Sequence, residues 1–257
     1  MGAGDWYWSR GQFKGYGKMW FLLSAQEAAS SGGGRSLLGS VVEELGGGPL
    51  GLPGLLGAWY PAPYHMATPG LVMNALERHR GELGVAAGQP LVLRTKLAIP
   101  GQAYVMDARK SLQAGVGPFP SLPADVNLDI DYSRLVNASI SFGTNTYVEY
   151  LTADLLMRLY RHCGGEAARL EPGLAIDVAD NYIVDQVLVT SDYKVAFKSA
   201  EAFNAEFKAK IDAFNRVPRT GVKAELSLAD KATLELSVSG GPEYLAALKV
   251  TDWDDLG

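Results

Sequence analysis

The sequence predicts an α+β fold in which a twisted, mostly antiparallel sheet is flanked by helices. Three observations carry this reading. Runs of alternating apolar and polar residues dominate the chain after Gln89, and helical periodicity occurs in separate segments between them rather than in strict strand–helix repetition. No stretch of 18 or more apolar residues occurs, because the most apolar region, Ser36 to Tyr60, is cut by Glu43, Glu44, Pro49 and Pro53, so no ordinary transmembrane helix is expected. With 257 residues, 47% of them hydrophobic, the chain can bury a substantial core. We read it as a single domain, with an aromatic and glycine-rich N-terminal region over 1–85 and an α+β body over 88–250.

Met1 to Trp6 lacks the apolar stretch of a signal peptide and the hydroxyl residue at position 6 that myristoylation uses. Residues 1–25 hold seven aromatics (Trp6, Tyr7, Trp8, Phe13, Tyr16, Trp20, Phe21) with Arg10, Lys14 and Lys18, opposed only by Asp5. Trp and Tyr suit a membrane interface because one end is apolar and the other hydrogen-bonds, and neighbouring cations reach anionic head groups. The segment therefore reads either as a lipid-contacting surface, with Trp6, Trp8, Trp20, Arg10, Lys14 and Lys18 as its contacts, or as a hairpin whose tryptophans enter the core. From Ser30 to Pro63, Gly and Pro accumulate around a short helical candidate, Ser36 to Leu45. A helix is expected over Thr68 to Leu83, with Pro69 in its first turn and Leu71, Val72, Ala75, Leu76 and His79 on one face.

The body begins with a strand over 90–99, placing Leu91, Leu93, Thr95, Leu97 and Ile99 on one face and Arg94 and Lys96 on the other. Further strands are expected over Tyr104–Val116, Asp125–Asp131, where Val126, Leu128 and Ile130 alternate with polar residues, and Ala138–Phe142. Leu151–Cys163 is the clearest helix, with Thr152 as N-cap and Gly164 as its stop. Strands resume over Tyr182–Thr190 and Tyr193–Lys198. Ser199 then reads as the cap of a helix carrying Ala202, Phe203, Phe207, Ile211 and Phe214. Val222–Leu228, Thr233–Val238 and Tyr244–Val250 complete the alternation.

The search for chemistry yields absences. The net charge of −5 argues against a nucleic-acid binder working by attraction to phosphate. One cysteine, Cys163, permits no internal disulfide and fits a reducing compartment. No Walker sequence, dinucleotide fingerprint, nucleophile elbow or His pair at i and i+4 occurs, so neither catalytic residues nor a cofactor nor a metal is expected. His65 and His79 read as structural, with no Cys or carboxylate at ligand spacing, and Cys163 reads as a structural thiol. Asp125, Asn127, Asp129 and Asp131 mimic a calcium loop but lack its glycine at the sixth position and its glutamate at the twelfth, where Val136 stands. They fit the wet face of a strand. Asn137-Ala138-Ser139 matches a glycosylation acceptor that the missing signal peptide makes a chance occurrence.

Taken in order, residues 88–250 resemble the pore-forming domain of the gasdermin family, particularly its compact fungal regulator-of-cell-death and bacterial members. The matching features are Val105 to Gly117, the strand end Asp131-Tyr132-Ser133-Arg134-Leu135-Val136, the helix Leu151–Tyr160, Asn181–Thr190 with Tyr193-Lys194-Val195, and Tyr244–Val250. The first 85 residues match poorly, and no cysteine near the N-terminus corresponds to the one some bacterial members acylate. The resemblance implies a non-enzymatic cell-death effector that binds acidic phospholipids, oligomerises with itself or a related chain, and inserts β-hairpins. It implies a cytoplasmic soluble form and a membrane-bound assembly. The acidic end Asp252-Trp253-Asp254-Asp255 is expected to cover a basic surface.

The alternation supplies a physical route. Backbone groups in lipid must all be paired, which a closed barrel achieves with strands of roughly 9–11 residues whose lipid face is apolar and lumen face polar. The runs 90–99, 103–116, 125–142 and 182–198 make two hairpins, with Leu91, Leu93, Leu97, Val126, Leu128, Ile130, Val184 and Leu188 as the inserting apolar positions. The alternative is a soluble α+β protein-interaction or immune-recognition module, in which the same alternation means only a sheet with one wet face.

Overall fold

The computed structural model describes residues 19–21, 38–43, 70–97, 103–106, 134–166, 169–171, 181–216, 221 and 223–257. They form one nine-stranded antiparallel sheet with three α-helices, the α+β class expected. The strands are β1 (Met19–Phe21), β2 (Val41–Glu43), β3 (Leu93–Lys96), β4 (Ala103–Met106), β5 (Leu135–Phe142), β6 (Thr146–Tyr150), β7 (Asn181–Ser199), β8 (Lys223–Leu228) and β9 (Thr233–Asp252). The helices are α1 (Leu71–Arg78), α2 (Ala153–His162) and α3 (Ala205–Arg216), and a 3-10 turn, Asp254–Leu256, ends the chain.

β7, of 19 residues, and β9, of 20, run side by side as the spine. Each merges two shorter runs that the sequence separates, because one strand continues through irregularities that break alternation without breaking pairing. At the first irregularity, Val184 pairs with Val250 but Gln186 with Lys249, so Asp185 is the extra residue of a bulge. At another, Thr190 pairs with Tyr244 and Asp192 with Ser239, so β9 makes an excursion over 240–243. On the other side of β7, β5 pairs with its second half and β6 with its first. β4 and β3 follow in turn, on β5 and β6 respectively. The end of β3, the start of β4, the break between β5 and β6, and the excursion of β9 stand at the same level of the sheet. There Gly143 N–H donates to the Asp192 carbonyl at 2.8 Å and the Thr146 and Thr190 hydroxyls meet at 2.7 Å. A Cβ on Gly143 would strike the Asp192 carboxylate, so the chain crosses here only as glycine unless that carboxylate turns away.

Above this waist lies the main core, where Leu71, Val72, Ala75 and Leu76 of α1 and Leu155, Leu156 and Leu159 of α2 pack with Ile183, Val184, Val187 and Val189 of β7. The Thr152 hydroxyl caps α2 by accepting from Leu155 N–H at 3.2 Å, and Gly164 and Gly165, both at positive φ, end it as the sequence predicts.

Several expectations are corrected. The helical candidate 36–45 contains strand β2, because Gly39 takes φ +74° and the 39–40 segment bonds both ways to Val184, at 2.8 and 2.9 Å. A side chain at 39 would strike Met73, which fixes glycine there. The helix expected over 68–83 is α1 alone. It begins after Gly70 and yields after Arg78 to a turn in which Leu83 N–H donates to His79 O. Ser199 does not cap α3, since its N–H still donates to the Ala232 carbonyl from the sheet, and the cap is Asn204, whose Oδ1 accepts from Phe207 N–H at 2.8 Å. Within the acidic end, Trp253 is fully buried in the main core, with its Nε1–H donating to the Gly165 carbonyl at 3.0 Å.

Candidate functional site

Below the waist, the register of β5, β7, β9 and β8 sorts residues into rows that alternate in character. Ile140, Val195, Leu236 and Leu226 stand in one row, and Ala138, Phe197, Leu234 and Leu228 in another. Between them runs the row Ser139, Ala196, Glu235 and Ser227, and beside them Ser141, Lys194, Ser237 and Glu225. Val195, Phe197, Leu226, Leu234, Leu236 and Val238 are buried, whereas Lys194, Lys198, Glu225 and Ser227 are exposed and Lys194 Nζ pairs with Glu235 at 3.2 Å. Among the described side chains, directly opposed ones about 5 Å apart make each row a strip from β7 to β8, so this half of the sheet has one greasy and one wet face.

α3 packs against β8, burying Phe207, Ile211 and Phe214 of its own stripe in the same region. Its fastening is specific. The Asn215 side-chain amide donates to the Leu226 carbonyl at 2.8 Å while its Oδ1 accepts from Leu226 N–H at 2.9 Å, completing the hydrogen bonding of one residue of β8. No signal in the sequence distinguishes Asn215 from an ordinary polar residue near a helix end.

The sequence-predicted site residues fall in different places. Arg10, Lys14, Lys18, Trp6 and Trp8 lie outside the described residues, as do Val126, Leu128 and Ile130. Trp20 lies in β1, paired with Leu248 of β9. The strand expected over 90–99 is the four-residue β3, and its expected apolar face is not a single face: Leu91 is 4% exposed in the main core, whereas Leu93 is 36% exposed. The chain bends at 91–92, just before β3, so the alternation of an extended strand does not carry through Leu91. Leu97, just past β3, is half-buried, and Val184 and Leu188 are buried.

Around β3 the electrostatics are tight. The Arg94 guanidinium lies 2.8 Å from the Glu149 carboxylate, which is 1% exposed, pairs also with Glu243, and stacks 4.0 Å from the centroid of the Tyr147 ring. Hydrogen bonding to Glu243 leads in holding the Arg94 pKa above its ordinary value. One cation thus fastens β3, β6 and the β9 excursion. Asp185 at the β7 bulge is the opposite case, since burial pushes its carboxyl up to about 6 despite Lys249 and a hydrogen bond from Thr251, and its Oδ1 has no hydrogen-bond partner. Burial raises the Cys163 thiol pKa, consistent with a structural cysteine.

The reading of His79 as remote from any carboxylate is corrected. His79 Nδ1 lies 2.6 Å from Glu82 Oε2, and His162 Nε2 lies 3.1 Å from His79 Nδ1. The i, i+3 spacing of His79 and Glu82 was present in the sequence, but His162 reaches them only because α2 packs beside α1.

No family model matches the chain, and no curated protein matches it. Among solved structures it is similar to a bacterial gasdermin from Bradyrhizobium tropiciagri, at 13% sequence identity and a TM-score of 0.32. The match covers 64% of this chain and spans 66% of that one, just under two thirds of its length.

Proposed function

We propose that this chain is a pore-forming effector that binds acidic phospholipids, oligomerises with itself or a related chain, and inserts β-hairpins to make a transmembrane barrel. The observation that carries the reading is the two-faced half-sheet of β5, β7, β8 and β9, whose apolar rows lie in the region where α3 packs. Among the described residues no helix is long and apolar enough to cross a membrane, and strands can cross by the barrel route. β7 and β9 each exceed the roughly 9–11 residues a spanning strand needs. One chain offers too few strands to close a ring, so copies must assemble.

On this reading α3, which packs on β8, is the cover of the apolar rows, and its departure frees Val195, Phe197, Leu234 and Leu236 for lipid while Lys194 and Glu235 face water. Leu93 is exposed already, and Leu97, Val126, Leu128 and Ile130 are proposed for the same lipid face. Val184 reaches lipid only if β7 also leaves the main core, and Leu188, buried outside that core, only if its own cover moves. Arg10, Lys14 and Lys18, with Trp6, Trp8 and Trp20, are proposed to dock the soluble form at the cytoplasmic leaflet. At about 1 kcal/mol per cation the three contribute roughly 3 kcal/mol, weak for one subunit and strong for a ring.

Dye release from vesicles rich in anionic lipid tests the reading, with electron microscopy of the lipid-bound protein for rings. Neutralising Arg10, Lys14 and Lys18 together should abolish release while leaving the protein soluble. Vesicles that stay sealed to the unmodified protein under all lipid compositions would overturn it and leave the binding module. The cover is tested separately by Asn215→Ala, which removes two hydrogen bonds worth about 1 kcal/mol each. Release should then begin at a several-fold lower protein concentration, and amide exchange in α3 should accelerate. An unchanged threshold would mean that α3 is not the cover.

A further inference from the structure

The last turn of α1 and the C-terminal end of α2 bring three metal-ligating side chains to one point. His79 caps α1, and the turn closed by Leu83 N–H on the His79 carbonyl at 2.9 Å carries Glu82 back beside it. From the facing helix, Arg158 donates to the Leu83 carbonyl at 3.2 Å, and one turn further on His162 meets the pair. The distances are 2.6 Å from His79 Nδ1 to Glu82 Oε2, 3.1 Å from His79 Nδ1 to His162 Nε2, and 3.8 Å from His162 Nε2 to Glu82 Oε2. Ligands bound to zinc at their usual lengths in tetrahedral geometry stand about 3.4 Å apart, which these separations bracket.

Hydrogen bonds among these three atoms alone leave one of them to solvent. If His79 Nδ1 carries a proton and donates to Glu82, His162 Nε2 faces an N–H already committed elsewhere. If His162 donates to an unprotonated Nδ1, the Glu82 oxygen is left beside a lone pair at 2.6 Å. A divalent cation accepts all three lone pairs at once. The side chains are 24%, 61% and 33% exposed for His79, Glu82 and His162, so an ion reaches the site from solvent without opening the core.

We propose that His79, Glu82 and His162 form a binding site for a divalent transition metal of the zinc class, bridging the ends of α1 and α2. Two imidazoles and a carboxylate suit zinc, and the fourth position is left to water or to an oxygen or nitrogen ligand from outside. The ion would hold the two helices of the main core together at their exposed end, a role independent of membrane insertion. Background is low, because the chain has three histidines and one cysteine in all, and Cys163 is buried.

The test is zinc titration of the full chain against a chromophoric chelator, with thermal melting and NMR of ¹⁵N-labelled histidine side chains. One equivalent should bind, raise the melting temperature, and shift the ring nitrogens of His79 and His162 but not those of His65. His162→Ala and Glu82→Gln, both on the surface, should each weaken binding at least about tenfold, since loss of even an outer-shell partner costs that much. Binding of zinc with equal strength by the wild type and a His79→Ala/His162→Ala variant would overturn the proposal. So would a histidine spectrum of the wild type that zinc leaves unmoved, a result that does not depend on any variant folding.

Discussion

Trp253→Ala should lower the unfolding free energy by about 3–5 kcal/mol, the range for deleting a large buried aromatic. Trp253 is fully buried at the end of β9, with the Tyr160 ring centroid 5.2 Å away and its indole N–H on the Gly165 carbonyl. The substitution empties a site between α2 and the sheet and strips the partner from a carbonyl in the turn that ends α2. Urea unfolding followed by circular dichroism reads the effect as a lower midpoint at unchanged slope. A loss below about 1 kcal/mol, the scale of the hydrogen bond alone, would show that the indole is not packed as described. The terminal turn is therefore structural, and truncating it should be as damaging as the substitution.

Asp185→Asn should stabilise the protein at neutral pH. The folded state holds the Asp185 proton up to about 6, against an ordinary value of 3.8, so between those limits the folded protein binds more protons than the unfolded chain. Stability from this group is therefore lost as pH rises through the window, and the deficit is complete above its upper end. At about 1.4 kcal/mol per pH unit the deficit is roughly 3 kcal/mol. Asparagine removes the charge, so the variant should gain up to that amount at pH 8 and nearly nothing below pH 4. Denaturant midpoints of both proteins across this range measure the difference. A gain independent of pH would mean that the carboxylate is not the cause. Asp185 is the bulged residue between Val184 and Gln186, its Oδ1 lacks a partner, and a carboxylate at such a break in β7 makes that point of the spine readier to give way at neutral pH than in acid.

A different irregularity, between Thr190 and Asp192 and opposite the 240–243 excursion, bounds how much of the fold was legible. Alternation identifies both halves of β7 and of β9, but not that each pair is one strand, because a lost period looks like an end. Thr152 and the glycines after Cys163 bound α2 correctly because caps are local chemistry. The helix expected from Ser199 fails because the Ser199 N–H belongs to a sheet bond with Ala232, a partner more than thirty positions away. Leu91 and Leu93 share a face in any extended strand, and a bend that turns Leu91 into the core is invisible to periodicity.

What the sequence by itself determined are properties summed along the chain or fixed within a few residues: the α+β class, the absence of a long apolar helix among the described residues, the alternation that gives a strand two faces, and the capping of α2. What only the tertiary structure decided are meetings of distant residues. These are the four-strand rows below the waist, the Asn215 amide on Leu226, the Arg94 tie to Glu149 and Glu243, and the convergence of His79, Glu82 and His162. The physical reason is range: periodicity and capping act over one helical turn or one pleat, whereas register and helix packing are set by burial of the whole chain at once.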